Sequence, residues 1–284
     1  MKKGKIYLTI SAFIYGITPV LAKAAYSGGA NGMTVTFYRA FLSLPLLFFL
    51  MKRRGVRAGL TKQELKKTML LSVFGNSLAI ICLYISYDLI SVGLATVLHY
   101  IYPLLIVIFC AVFYRERMTR EKILATVLVS AGILLFLDIN NKNDVLGIIC
   151  ALLSGVFYAF NVIYLDKSGL DKMDYIKLTF YISLFMSGSV LLVTVGSGHF
   201  TFAMSKLAWI SVFLISVLIS LFALPLFQMG VLYEGASTAG ILSTVEPITG
   251  VIVGAVVLNE TLTIFGMIGC ALILAGVILI EYGR

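Results

Sequence analysis

The chain has 284 residues, 60% of them hydrophobic and 12% charged, with a mean hydropathy of +1.03. A water-soluble domain carries about 25% charge, so composition excludes an ordinary soluble enzyme or binding module. The formal charge of +9 is distributed as a membrane-topology signal and not as a nucleic-acid patch.

Apolar runs near the length needed to cross about 30 Å of hydrocarbon follow one another from end to end. Ten are predicted, at roughly 5–26, 33–51, 68–88, 93–113, 122–138, 145–165, 176–196, 207–229, 236–258 and 262–282. A backbone in lipid must satisfy its own hydrogen bonds, which makes these runs helices. The short alternating segments of a membrane barrel are absent. The first run, from Met1-Lys2-Lys3 to Ala22-Lys23-Ala24, has the outline of a signal peptide. Its length and its match to 145–165 predict a retained helix instead.

With the N-terminus inside, 18 of the 22 Lys and Arg residues fall in inner loops or at the inner termini. They form clusters at Lys2–Lys5, Lys52–Lys67, Arg115–Lys122 and Lys167–Lys177, with Arg284 last. Lys23, Lys142 and Lys206 remain outside, and Arg39 lies within a span. The positive-inside rule therefore predicts a multi-pass plasma-membrane protein with both termini cytoplasmic.

The chain repeats itself. Pro103, Glu116 and Ala131-Gly132 recur as Pro247, Glu260 and Ala275-Gly276, an offset of 144. Ser11-x-x-x-Tyr15 answers Ser154-x-x-x-Tyr158 at an offset of 143. Five spans per copy is an odd number, so the second copy enters the membrane from the opposite side. Residues 1–140 and 141–284 thus read as two inverted five-helix repeats, the arrangement suited to alternating access. The Asn-, Asp- and Lys-rich stretch 138–144 reads as their external connector.

Polar residues in lipid-buried helices usually face the bundle interior. In chain order, the first span places Ser11, Tyr15 and Thr18 on one stripe, and the third places Asn76, Tyr84 and Tyr87. The fourth presents Thr96, His99, Tyr100, Tyr102 and Pro103; the sixth, Ser154, Tyr158 and Asn161. The eighth carries Ser216, Ser220 and Gln228; the ninth, Ser243, Thr244, Glu246 and Pro247. From these, Tyr15, Asn76, Tyr84, His99, Tyr102, Tyr158, Asn161, Gln228 and Glu246 are the candidate substrate-binding residues.

Glu246 lies about ten residues into its span, where a carboxylate titrates, pairs with a cation or meets substrate. It and His99 are the proton-coupling candidates, and each also has a structural reading as a hydrogen-bonded packing residue. Pro103 and Pro247 fall near mid-span and read as kinks with a gating role or none. Arg39 reads as snorkelling to the outer interface or pairing with Glu260, or else as attracting a substrate carboxylate. The fifth and tenth spans are nearly uniformly apolar and read as scaffold. Gly250-x-x-x-Gly254, Gly266, Gly269 and Gly276 allow close helix contact, within one chain or between two. The four cysteines (Cys82, Cys110, Cys150, Cys270) read as buried apolar residues, and neither a metal nor a cofactor is expected.

These residues resemble the EamA family of the drug/metabolite transporter superfamily. The carrying features are Ser11-x-x-x-Tyr15-Gly16, Arg39, Tyr102-Pro103 through Glu116-x-x-Thr119, and Glu246-Pro247 through Glu260-x-x-Thr263. The resemblance covers essentially the whole chain. It implies a ten-helix secondary carrier with a central cavity, often an exporter of amino acids or related metabolites. The expected function is export of a small amine-containing solute, with coupling to protons as one possibility and oligomeric state left open. Export of amphipathic drugs or lipid-linked substrates is the alternative within transport; an intramembrane lipid-modifying enzyme or a non-transporting subunit lies outside it.

Overall fold

The computed structural model describes residues 3–90, 92–135, 145–258 and 264–282. The connector 138–144 and the turn holding Asn259, Glu260, Thr261 and Thr263 lie outside the described residues. The chain forms α1 (Lys3–Ser27), α2 (Gly32–Arg53), α3 (Lys62–Leu70), α4 (Leu78–Leu89), α5 (Val92–His99), α6 (Tyr102–Phe113) and α7 (Arg120–Leu134). Then follow α8 (Val145–Lys167), α9 (Tyr175–Gly196), α10 (Lys206–Val217), α11 (Leu224–Leu242), α12 (Val245–Leu258) and α13 (Ile264–Tyr282). Among the described residues there is no strand. Asn31, Thr61, Thr119, Asp174 and Ser205 begin α2, α3, α7, α9 and α10, each accepting a first-turn N–H on its side chain. A cap of this kind contributes about 1 kcal/mol. Thr119 of Glu116-x-x-Thr119 thus has a local role.

Among the described residues, six helical stretches are long and apolar enough to cross a membrane: α1, α2, 62–89, α8, α9 and 206–242, the last interrupted at Gly235. Their outer faces expose Phe13, Phe41, Phe48, Phe49 and Leu192. A continuous apolar surface of this kind requires a partner other than water, and for such helices that partner is lipid.

Hydropathy predicted single helices at 93–113 and 236–258, and the structure divides both. The first is divided into α5 and α6 at Tyr100-Ile101. The predicted eighth and ninth helices meet at Gly235, whose non-helical backbone (φ 77°, ψ 170°) favours glycine. The predicted ninth is divided at Ser243-Thr244. Both breaks are apolar enough to leave a hydropathy window unchanged.

The 62–89 and 206–242 stretches each contain a π-helical segment, Leu71–Ser77 and Leu218–Ala223. The wider turn changes which carbonyls the backbone satisfies, and such segments concentrate at functional sites. Side chains claim several of these carbonyls. Asn76 Nδ2 donates to Leu71 O at 3.4 Å, Ser77 Oγ to Ser72 O at 3.0 Å, and Ser11 Oγ of α1 to Ala223 O at 2.7 Å.

Packing between the copies is reciprocal. α2 lies on α9 and α7 on α13, while α1 packs on α11 and α12 as α8 packs on α4, α5 and α6. The recurring Ala-Gly pair has its reason here. A Cβ on Gly132 would stand 2.7 Å from Gly269 O and 2.8 Å from Ile273 Cγ1. One on Gly276 would stand 2.9 Å from Ala125 O and from Val129 Cγ2. The contacts of Gly132 and Gly276 therefore lie within one chain. Gly132→Val and Gly276→Val are each expected to cost about 1–3 kcal/mol by overpacking. Gly188→Ala on α9, with open space around it, is expected to leave the unfolding midpoint within about 0.5 kcal/mol of wild type. Equal midpoints for all three variants in detergent would contradict this packing.

Candidate functional site

The two helix breaks gather the polar chemistry. α5 ends at His99 and α6 starts at Tyr102; α11 ends at Leu242 and α12 starts at Val245. Pro103 is therefore in the first turn of α6 and Pro247 in the first turn of α12. There the missing N–H costs nothing, because first-turn donors have no intrahelical partner. Each span is interrupted within one turn before its proline, with Ile101 and Ser243 still in the right-handed helical region, which is the local loosening a mid-span proline produces. Glycines of the opposite copy press against both breaks. A Cβ on Gly155 of α8 would stand 2.8 Å from His99 O, and one on Gly16 of α1 would stand 2.5 Å from Glu246 O.

Around the first break stands an aromatic cluster. The Tyr102 and Tyr158 rings lie 4.6 Å apart at 72°, and His99 lies 5.5 Å from each. Tyr100 lies 5.6 Å from Tyr102. His99 Nδ1 is 2.6 Å from Ser154 Oγ. The Tyr100 hydroxyl donates to the Glu246 carboxylate; Ser243, whose own hydroxyl donates to Ala239 O at 2.8 Å, accepts from the Tyr102 hydroxyl. Glu246 also lies within electrostatic range of Tyr15, Tyr87, Tyr158 and Arg39.

Beside the cluster is a cavity of about 30 Å³, room for about two waters. Tyr15, Arg39, Asn76, Ser183, Met186 and Ser220 line it. Asn76 and Ser220 come from the two π-helical segments and stand at the repeat offset of 144; Arg39 and Ser183 stand at the same offset. Asn76 Nδ2 donates to Asn161 Oδ1 at 2.8 Å.

The structure thus joins seven of the nine candidates: Tyr15 and Asn76 on the cavity, Asn161 bonded to Asn76, and His99, Tyr102, Tyr158 and Glu246 in the cluster. Two lie apart. Tyr84 packs edge-on to Tyr87 at 5.6 Å and against Gly32. Gln228 Nε2 donates to Thr179 Oγ1 at 3.0 Å, with its Oε1 buried and without a partner among the described residues. Arg39 and Ser183 are additions, and the repeat offset between them was the available signal. Arg39 reaches the cavity, contrary to the interfacial reading; its expected partner Glu260 lies outside the described residues.

A second polar group clasps the bend at Gly235. Glu116 Oε1 accepts from Lys122 Nζ at 2.5 Å and Oε2 from Ser237 Oγ at 2.9 Å. Asp166 Oδ2 accepts from Ala236 N at 3.1 Å and pairs with Lys167 Nζ at 2.7 Å. Partial burial pushes the Glu116 carboxyl up, but Lys122, Ser237 and Lys167 outweigh it and hold it below its ordinary 4.5. A carboxyl lowered on folding contributes stability fully above its unfolded value and loses it as pH falls through the folded one. Glu116→Gln is expected to lower the unfolding midpoint near neutrality, by a gap that closes once pH lies well below the ordinary 4.5 and below the folded value. A gap that persists unchanged there would count against the linkage.

Long apolar helices around a small polar cavity lined from the two π-helical segments define a multi-pass membrane protein with an interior site. The chain belongs to the EamA-like transporter family, in the drug/metabolite transporter superfamily; the family model matches residues 2–138 and again 145–282. It is 29% identical over 281 residues to an uncharacterized transporter of Archaeoglobus fulgidus, covering 98% of this chain and 96% of that one. It is 24% identical over 160 residues to the pseudopaline exporter CntI of Pseudomonas aeruginosa, covering 56% and 55%. A crystal structure at 15% identity superposes with a TM-score of 0.85 over 98% of this chain and 96% of that one, a likeness of fold.

Proposed function

We propose that this protein is a secondary transporter that exports a small amine-containing solute, an amino acid or related metabolite, by alternating access. The observation that carries this reading is the placement of Glu246, held by Tyr100 among Tyr15, Tyr102 and Tyr158, next to a polar cavity. A carboxylate beside aromatic faces suits an ammonium group. The cavity admits water-sized contents only, so loading requires the helices around it to separate.

Ten spans, arranged as inverted repeats 1–140 and 141–284 with both termini in the cytoplasm of the plasma membrane, supply that motion. Exchange of conformations between the copies exposes the site to one side and then the other. The reciprocal packing of α1 and α8 supports this, and the bend at Gly235, clasped by Glu116 and Asp166, is a natural hinge. Glu246 couples the cycle to protons by carrying either a proton or the solute's cationic group. The exporter among the relatives supports the outward direction.

Cells expressing the protein and loaded with amino acids from dipeptides should release at least one of them faster than cells expressing Glu246→Gln. Identical efflux of every amino acid from both would sink the reading.

A further inference from the structure

We infer that Arg39 is the receptor for a carboxylate on the transported solute, so that the site has two poles and selects solutes carrying both an acid and an amine. The inference rests on the proposed transport role. It starts from an imbalance. Arg39 is half-buried and lines the cavity between the π-helical segments. Its backbone is fixed, because Ser216 Oγ of α10 donates to Arg39 O at 2.7 Å. Among the described residues, its guanidinium has one contact at hydrogen-bond range, Met186 Sδ at 3.9 Å, and a thioether is a weak acceptor. A guanidinium has five donors in a fork shaped for a carboxylate. The Glu246 carboxylate lies within electrostatic range, but among the described residues no carboxylate hydrogen-bonds the guanidinium, so the fork itself stays open to an anion.

The repeat sharpens the assignment. The position equivalent to Arg39 is Ser183, on the same cavity, and the position equivalent to Glu246 is Tyr102, in the same cluster. Each copy therefore contributes one charge of opposite sign where its counterpart has a neutral hydroxyl. Tyr15 stands between the poles, lining the cavity with Arg39 and within electrostatic range of both charges. Asn76, Ser183 and Ser220 supply neutral hydrogen bonds along the same wall. A site symmetric in shape and antisymmetric in charge fits a solute whose two ends differ in the same way. The carboxylate lies in the fork of Arg39, and the ammonium faces Glu246 and the tyrosines.

The test uses purified protein and matched probes at about 10 mM, read as ligand-induced shifts in the unfolding midpoint. L-leucine carries both groups, 3-methylbutylamine lacks the carboxylate, and 4-methylpentanoate lacks the amine; L-lysine, cadaverine and 6-aminohexanoate form a second set. At least one amino acid should stabilise wild type more than its decarboxylated amine does. Arg39→Gln should weaken that amino acid at least about tenfold and leave the amine unchanged, with Arg39→Lys intermediate because it keeps charge without the fork. Unliganded Arg39→Gln should unfold at the same or a higher temperature, since an undercompensated charge has been removed.

Amines stabilising as well as their amino acids, no probe stabilising wild type, or a markedly less stable Arg39→Gln would each overturn the inference. The last outcome would make Arg39 structural. Stabilisation by the plain acids alone, lost in Arg39→Gln, would support Arg39 as the anion receptor while refuting the amine-solute reading, so the two fail separately.

Discussion

Glu246→Gln is expected to abolish gradient-driven transport while the protein still folds. The side chain keeps its volume and can still accept from Tyr100, so the contact at the start of α12 survives. What disappears is the negative charge facing Tyr15, Tyr102 and Tyr158. A charge-assisted hydrogen bond is worth about 1.5–3 kcal/mol, and about 1.4 kcal/mol is tenfold in affinity. Solute affinity should therefore fall between about tenfold and about a hundredfold, and proton dependence should vanish with the titratable group. Size-exclusion profile and helical content should match wild type. Wild-type turnover with wild-type pH dependence in this variant would remove Glu246 from the mechanism.

The second large effect is expected from one added methyl group at Gly16. A Cβ there would stand 2.5 Å from Glu246 O and 2.9 Å from Thr249 Cγ2. Real carbon atoms do not approach a carbonyl so closely, and the carbonyl belongs to the backbone of the first turn of α12. Gly16→Ala therefore forces α1 away from the segment that carries Glu246. Overpacking of this kind costs about 1–3 kcal/mol, and displacement of the site should lower transport at least about tenfold, as misplacement of a binding group by about 1 Å does in enzymes. Gly250 provides the control within the same contact. A Cβ there would stand 3.6 Å from Gly16 O, an ordinary distance, so Gly250→Ala should retain transport. Equal activity in the two alanine variants would show that the α1–α12 contact does not position the site.

The helical membrane class, with six stretches long and apolar enough to cross, and the duplication were legible in the sequence because both rest on strong constraints. A backbone in lipid must be helical, and a motif repeated at a fixed offset marks a repeated unit. The helix breaks were less legible. Proline at mid-helix and proline in a first turn are the same residue, and Tyr100-Ile101 and Ser243-Thr244 leave no mark on hydropathy. A clue lay in the pairing of Tyr102-Pro103 with Glu246-Pro247, since first-turn proline is favoured. Of the site, the stripe of Tyr15 and Tyr158 and the lone carboxylate could be read from helical spacing. Tyr84 and Gln228 sit on equally polar stripes, yet their neighbours are Gly32, Tyr87 and Thr179. Spacing gives the face of a helix; the element that meets that face is a tertiary fact. Arg39 shows the same limit from the other side. Six residues from a helix end is a depth compatible with the interface, and only the approach of α9 and the two π-helical segments directs it onto a cavity.

The most direct test of the account is accumulation in proteoliposomes. A labelled panel of amino acids, polyamines and quaternary amines is offered with and without a pH gradient, using wild type and Glu246→Gln. The account predicts that at least one amine-containing solute accumulates above empty liposomes only when the gradient is present, and that Glu246→Gln does not accumulate it. Folded wild-type protein that moves none of the panel, or moves it equally with and without the gradient and with and without the carboxylate, would contradict a proton-coupled carrier centred on Glu246.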